Sequence, residues 1–392
     1  MKKWLGVVGL LSLSLTLVLS GCNLPWSSDN NKQNVINSSK GNKQTATLIP
    51  KIDSKDYQSL KPTGNTSDST RGYIGYGVNN RVDIDQLETG LMNMSKSVFS
   101  PDDYVFQSGQ YLSEADINNM LYRKSKKTPN GLNPPLGKGQ SVRDQAMNSP
   151  KILSYILEQD YLKSTGKNKY ELGGVSLAIS LNQVYTDKVT DKSGKQYDVQ
   201  KTLNVSQVKQ QGKTIAQKVL QQVRQKNGLG NVPIFITLYA EAPDSSLVPG
   251  YFYSKTYVSN NSGSIGKWEN VNEDNVLFPS DKSKSKYKSD NELFNNFKTD
   301  VSKYFPNFIG VTAKGRYENG DLVDLNFQIS IKFYDKTEVM GFASYVTSLV
   351  KDRFPFSKNI PVQISIITPN TQEAVIVSNP DMDEPFVHVF EQ

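Results

Sequence analysis

Apolar and polar residues are distributed unevenly along this 392-residue chain. Behind Lys2 and Lys3, Trp4 to Leu19 is an almost uncharged apolar run. From residue 23 to about 70, Ser, Asn, Lys, Gln, Asp and Thr dominate without a sustained period. Such a stretch buries too little surface to offset the cost of ordering, and it predicts a disordered tether. Periodic structure is expected from Arg71 onward. Ile84, Leu87, Leu91 and Met94 recur at spacings of three and four, which predicts a helix over 83–96. Tyr104, Phe106 and Tyr111 predict an extended segment, and Ser113 a cap for a short helix that buries Ile117, Met120 and Leu121. The stretch Thr128–Lys138 is too rich in Pro and Gly for regular structure. After Pro150, the set Ile152, Tyr155, Ile156, Leu157, Tyr161 and Leu162 predicts a further helix.

The remainder repeats a theme. A strand over Val175–Tyr185, a helix over Lys213–Lys226 and a strand over Asn231–Ala240 are followed by a second set. That set is a strand over Leu325–Tyr334, a helix over Thr337–Phe354 and a strand over Asn359–Thr368. Period alone makes any two β-α-β units look alike. Both closing strands, however, open Asn-(Val/Ile)-Pro-(Ile/Val), where a proline costs no ladder bond. This shared opening predicts an internal duplication, with a polar insertion between Tyr185 and Gly212 in the first copy. Tyr251, Phe252, Tyr253 and Tyr257 mark another strand, and Leu293–Tyr304 another helix. The expected fold class is α+β, with mixed β-sheets, packed helices and a duplicated β-α-β unit. The expected organisation is a signal peptide at 1–21, a lipidated cysteine and tether at 22–70, and a helical part at 71–170. The two units follow at 171–280 and 281–392.

Charge and rare residues narrow the chemistry. The formal charge is +7, and loss of Lys2 and Lys3 with a leader leaves +5, a mild excess that suits an anionic neighbourhood. Arg123, Lys124, Lys126 and Lys127 form one basic cluster, and Lys282, Lys284, Lys286 and Lys288 another. Neither is interleaved with aromatics in a nucleic-acid pattern, so both read as solvated surface and no nucleic-acid partner is expected. Cys22 is the sole cysteine and His388 the sole histidine. That excludes cysteine nucleophiles in a mature domain, multi-histidine metal sites and the usual serine triad. Gly72, Gly75 and Gly77 lack a preceding strand, and Asp381, Asp383 and Glu384 read as a solvated turn. No cofactor, metal or catalytic residue is expected.

The end of the apolar run carries the clearest chemistry. Leu19, Ser20 and Gly21 lead into Cys22 in the order of a lipobox: an apolar anchor, two small residues that lie extended in a peptidase groove, and a thiol to carry lipid. A diacylglyceryl thioether on Cys22 and cleavage before it are expected, giving a membrane partner through a lipid anchor at the extracellular face. The run is shorter than the ~20 residues of a membrane-spanning helix and lacks a basic stop-transfer flank. In the folded part, Asn130, Gly131, Asn133, Pro134 and Pro135 make a stiff loop beside Arg123 and Lys138. It either holds an anionic ligand, such as a wall polymer, or a peptide, or it packs between subdomains.

Several segments resemble the CamS family of sex-pheromone precursor lipoproteins of Gram-positive bacteria. They are the lipobox, RGYIGYG at Arg71–Gly77, NGLNPPLGKG at Asn130–Gly139, SPKILSYILEQDYL at Ser149–Leu162 and GGVSLAISLNQVY at Gly173–Tyr185. The resemblance implies that a hydrophobic peptide, similar to a conjugation pheromone, is cut from the end of the leader. Here the equivalent residues are Ser14, Leu15, Thr16, Leu17, Val18, Leu19 and Ser20. It assigns no activity to the mature domain, which reads as non-enzymatic. A second reading is a ligand- or wall-binding module using a cleft between the two units. A third, an enzyme acting on wall polymers, requires a carboxylate pair in a polar pocket.

Overall fold

The computed structural model describes residues 32–36, 43–49, 55–61, 82–166, 169–305, 309–333 and 335–391. Cys22, the lipobox, the leader heptapeptide and the Arg71–Gly77 motif lie outside the described residues. The first sheet takes β1 (Lys32–Ile36), β2 (Lys43–Ile49), β3 (Gln58–Lys61), β4 (Val105–Ser108), β5 (Leu153–Gly166) and β6 (Lys169–Leu181). After a β7–β8 hairpin (Val184–Thr190 and Gln196–Thr202) it is completed by β9 (Ile234–Ala240), β10 (Tyr251–Val258) and β11 (Glu269–Asn270). Its helices are α1 (Ile84–Ser95), α2 (Glu114–Leu121), α3 (Val142–Asn148) and α4 (Val205–Val223). The second sheet runs β12 (Glu273–Phe278), β13 (Ile309–Glu318), β14 (Asp321–Ile331), β15 (Val362–Ile367), β16 (Gln372–Ser378) and β17 (Phe386–Val389) in spatial order. With it come α5 (Asp281–Lys286), α6 (Lys288–Ser302) and α7 (Lys336–Arg353). The fold is α+β with mixed sheets, as the periodicity predicts.

Two expectations are corrected. Residues Ile152–Leu162 form most of strand β5, not a helix. Leu153 to Leu162 are buried on both faces of the strand, so the alternation that marks a half-solvated strand is missing and the aliphatic spacing mimics a helix. Three strands, β1 to β3, also fall within 22–70, where composition predicts a tether. Their ladder partners come from far along the chain: Val35 pairs with Tyr170 and Gln58 with Val105, and Leu60 is buried with Val105, Leu162 and Tyr170. Such tertiary pairing overrides local composition.

The two sets of strands agree in order beyond one β-α-β unit, and the second set begins at β12, ahead of the boundary expected at 280/281. The order β4-β5-β6-β9-β10-β11 matches β12-β13-β14-β15-β16-β17 strand for strand. Neighbours are antiparallel throughout except the central pairs β6–β9 and β14–β15, which are parallel and joined through α4 and α7. Each set carries a pair of helices between its first two strands. Val175 pairs with Ile234 and donates its N–H to the Pro233 carbonyl at 3.1 Å; Leu325 pairs with Val362 and donates to Pro361 at 3.1 Å. The shared Asn-x-Pro thus has one structural job in both units. Its proline precedes the strand, so only its carbonyl is needed. The polar insertion of the first unit is the β7–β8 hairpin with the opening turns of α4.

One difference between the units shapes their surfaces. In the first, α1 packs on the side of β6 that offers Gly174, Ser176 and Ala178, and the Ser95 and Ser176 hydroxyls lie 2.7 Å apart. Leu177, Ile179 and Leu181 face the other way, toward α4. In the second, Phe294 of α6 stacks on Phe327 of β14 and Phe297 packs against it at a tilt, with α7 beside them, while Lys314, Asn326 and Gln328 on the far face are exposed.

Candidate functional site

The Pro/Gly loop is a staple. Asn133 is 1% exposed and uses every hydrogen-bonding position of its amide. Its Nδ2 donates to the carbonyls of Leu121 (2.8 Å) and Leu153 (3.0 Å), while Oδ1 accepts from the N–H groups of Ile152 (2.7 Å) and Leu153 (2.9 Å). It therefore ties the end of α2 to the start of β5. Arg123 donates to the carbonyls of Pro134 (3.0 Å) and Ser149 (2.5 Å) and to the Tyr185 hydroxyl (2.8 Å). Its guanidinium is spent on the loop and hairpin. Gly131 admits no side chain, since a Cβ there would sit 2.6 Å from the Tyr122 carbonyl. Pro135 and Lys138 are exposed, and Gln222 of α4 donates to the Asn130 carbonyl at 3.0 Å. Of the two roles left open for this loop, these bonds supply packing.

The loop parts two clefts. One, of about 710 Å³, lies toward the β7–β8 hairpin and holds Tyr185, Asp187 and Lys151. Burial, with Asp187 accepting its hydroxyl proton at 2.8 Å, pushes the Tyr185 phenol well above its ordinary range. The other, of about 1050 Å³, runs along α4.

A third cleft, of about 430 Å³, opens where the two units meet, between Gln86, Asn93 and Lys255 of the first and Glu273, Arg316 and Asn319 of the second. Glu273 is the tie. Oε1 accepts from Gln86 Nε2 (2.9 Å) and Oε2 from the Phe252 N–H (3.2 Å). Burial pushes its carboxyl up to about 7, against the lowering pull of Phe252, Arg316 and Gln86. Asp324, across the ladder from Arg316, is also raised by burial. Deeper in, Asp83 caps the joint from the first unit, accepting from the Gly250 N–H (2.8 Å) and the Tyr239 hydroxyl (3.2 Å), and Asn275 donates to the Gly250 carbonyl at 2.6 Å. No motif marks Asp83, Glu273 or Asn275 in the sequence, because only the meeting of two units gives them a role.

The raised Glu273 carboxyl has a measurable consequence. The folded protein holds that proton to about pH 7, whereas an exposed glutamate loses it near 4.5. The folded state thus binds more protons between these values. The stability this contributes is complete below pH 4.5 and is lost as pH rises through 7, a swing of about 3 kcal/mol. Denaturant titrations across this window are expected to show that decline. Glu273→Gln is expected to flatten it, and an unchanged slope in the variant would refute the assignment.

Among the described residues no group of His, Cys, Asp and Glu is placed to hold a metal ion, and no helix is long and apolar enough to cross a membrane. What the fold defines is a two-unit α+β protein with concave surfaces lined by hydrogen-bonding side chains. The family model described as CamS sex pheromone cAM373 precursor matches residues 65–384, and the chain belongs to this family. It is similar to the crystal structure of a sex pheromone precursor from Lactobacillus salivarius, at 32% identity and a TM-score of 0.75, covering 88% of this chain and 99% of that one. It is also similar to the C-terminal domain of the sex pheromone staph-cAM373 precursor from Staphylococcus aureus. There the identity is 28% and the TM-score 0.65, over 79% of this chain and 96% of that one. No curated protein matches.

Proposed function

We propose that this chain is a precursor with two products divided at Cys22: a lipid-anchored surface domain and a hydrophobic heptapeptide, Ser14–Ser20, released from the leader. The order Leu19-Ser20-Gly21-Cys22 behind an apolar run, in a chain of a pheromone-precursor family, carries this reading. The thiol attacks the lipid donor as thiolate, and Ser20 and Gly21 present the next bond to the peptidase. Each buried methylene contributes about 0.8 kcal/mol, so two acyl chains hold the domain where one binds only reversibly. The anchored domain performs no catalysis in this reading. In support, both oxygens of Glu273, the half-buried carboxyl of the inter-unit cleft, are taken up in joining the units.

Cells grown with radiolabelled palmitate test the proposal. The wild type is expected to carry label in the membrane fraction and to release SLTLVLS into the medium, detected by mass spectrometry. Cys22→Ala is expected to abolish both. Equal labelling of the variant, or a wild type without label, would overturn it.

A further inference from the structure

The repeat allows the molecule to be compared with itself. On the common register, Gly212, Ile215, Ala216, Val219 and Val223 of α4 fall on Val339, Phe342, Ala343, Val346 and Val350 of α7, all of them buried. The adjoining stripe then matches Thr214 with Gly341 and Lys218 with Tyr345. In the second unit α6 and the residues after it close over this stripe. The Tyr304 ring lies 5.3 Å from both Phe342 and Tyr345, and the Tyr345 hydroxyl donates to the Asp300 carbonyl at 2.8 Å. In the first unit the corresponding helices α2 and α3 have only 8 and 7 residues, against 15 in α6. The stripe is left facing the stapled loop, and the 1050 Å³ cleft along α4 is the space that results.

That cleft is two-sided. Its apolar floor includes Leu132, Pro134, Ile152 and Ile215, and one wall presents Gln211, Lys218 and Gln221 from α4 and Gln225 from the turn that follows it. These four side chains make no hydrogen bond within the described residues. Among the described residues, no carboxylate and no aromatic ring lines the cleft. Without a ring there is no platform for stacking a sugar. Amides aligned along a helix can instead pair with the N–H and C=O groups of an extended peptide, and Lys218 offers a partner for a terminal carboxylate.

We propose that this groove binds the heptapeptide Ser14–Ser20 as an extended chain. The inference rests on the reading above that the leader yields this peptide. Drawn out as a strand, its leucines Leu15, Leu17 and Leu19 share one edge, while Ser14, Thr16, Val18 and Ser20 share the other. The leucine edge matches the floor and the hydroxyl-bearing edge the glutamine wall. Lengths agree: seven residues span about 23 Å at about 3.3 Å each, and Gln207 to the end of α4 at Val223 covers about 24 Å of helix. Apart from its termini the peptide carries no charge to oppose the lysines.

The test uses the chain purified into lipid nanodiscs and synthetic SLTLVLS with an amino-terminal fluorophore, read by fluorescence polarisation. Because the peptide is added, the outcome does not depend on whether cells release it. Saturable binding is expected. A rearranged peptide, SLLTLVS, which divides the leucines between the two edges and so breaks the alternation, is expected to bind at least about tenfold more weakly, a loss of about 1.4 kcal/mol. Lys218→Tyr, which fills the groove as Tyr345 fills its counterpart, is expected to weaken binding as much with an unchanged melting temperature. Should that variant melt early, Gln225→Glu on the exposed wall serves as the second probe. Absence of saturable binding, equal binding of SLLTLVS, or full binding by a folded groove variant would overturn the proposal.

Discussion

Asn133→Ala is expected to destabilise the folded domain by about 3–5 kcal/mol, the largest single effect outside the leader. The reason is an asymmetry. Truncation removes one side chain but strands four backbone groups: the carbonyls of Leu121 and Leu153 and the N–H groups of Ile152 and Leu153. The Asn133 amide is buried, and three of the four groups belong to Leu121 at the end of α2 and Leu153 at the start of β5, where the backbone is held in place. A buried polar group left unpaired costs about 1–3 kcal/mol, and partial relaxation of the loop keeps the total below the full sum. The denaturant midpoint measures this. Asn130→Ala, three residues earlier and exposed, is expected to shift stability by less than about 0.5 kcal/mol, since only its backbone carbonyl bonds α4. Equal midpoints for the two variants would show that the amide is not the staple described.

Gly250→Ala is expected to cost about 3–4 kcal/mol and to loosen the two units together. An added Cβ would sit 2.0 Å from the Ala240 carbonyl oxygen and 2.8 Å from the Tyr239 ring. The nearer obstacle is backbone, which a rotamer change cannot clear. Any shift of residue 250 also pulls its N–H from Asp83 and its carbonyl from Asn275, the two bonds that clamp the joint. Gly266→Ala supplies the comparison, since nothing lies within 4 Å of a Cβ there. Chemical denaturation of both variants tests the contrast; a Gly250 variant as stable as the Gly266 one would sink the clamp.

Much of the fold is legible wherever one face of an element is wet. The helix at 83–96 is α1, and Ser113 caps α2 with a reciprocal Ser113–Asp116 capping box. The central β-α-β units fall where the 3.6- and 2-residue periods change over. β5 is misread because burial on both faces erases its period, and β1 to β3 are missed because their partners lie far away in sequence. The full six-strand repeat is concealed by the unlike helices α2–α3 and α5–α6, although Asn-x-Pro marks its centre. Among site residues, Pro/Gly content singles out the loop at 128–138 without revealing that Asn133 is its fulcrum. Glu273 and the glutamine wall of α4 have no local signature. Both arise from neighbours that only the tertiary fold supplies.

The pairing of β1 with β6 also bears on timing. Asn34 meets Lys169 across a parallel ladder while β1 also pairs with β2, so the ring of strands from β1 to β6 cannot close until the whole intervening chain is in place. The second unit, contiguous from Glu273 to Val389, has no such wait. Loop-closure entropy and high contact order slow the first task relative to the second. The strands nearest the amino terminus are therefore expected to be the last to finish folding.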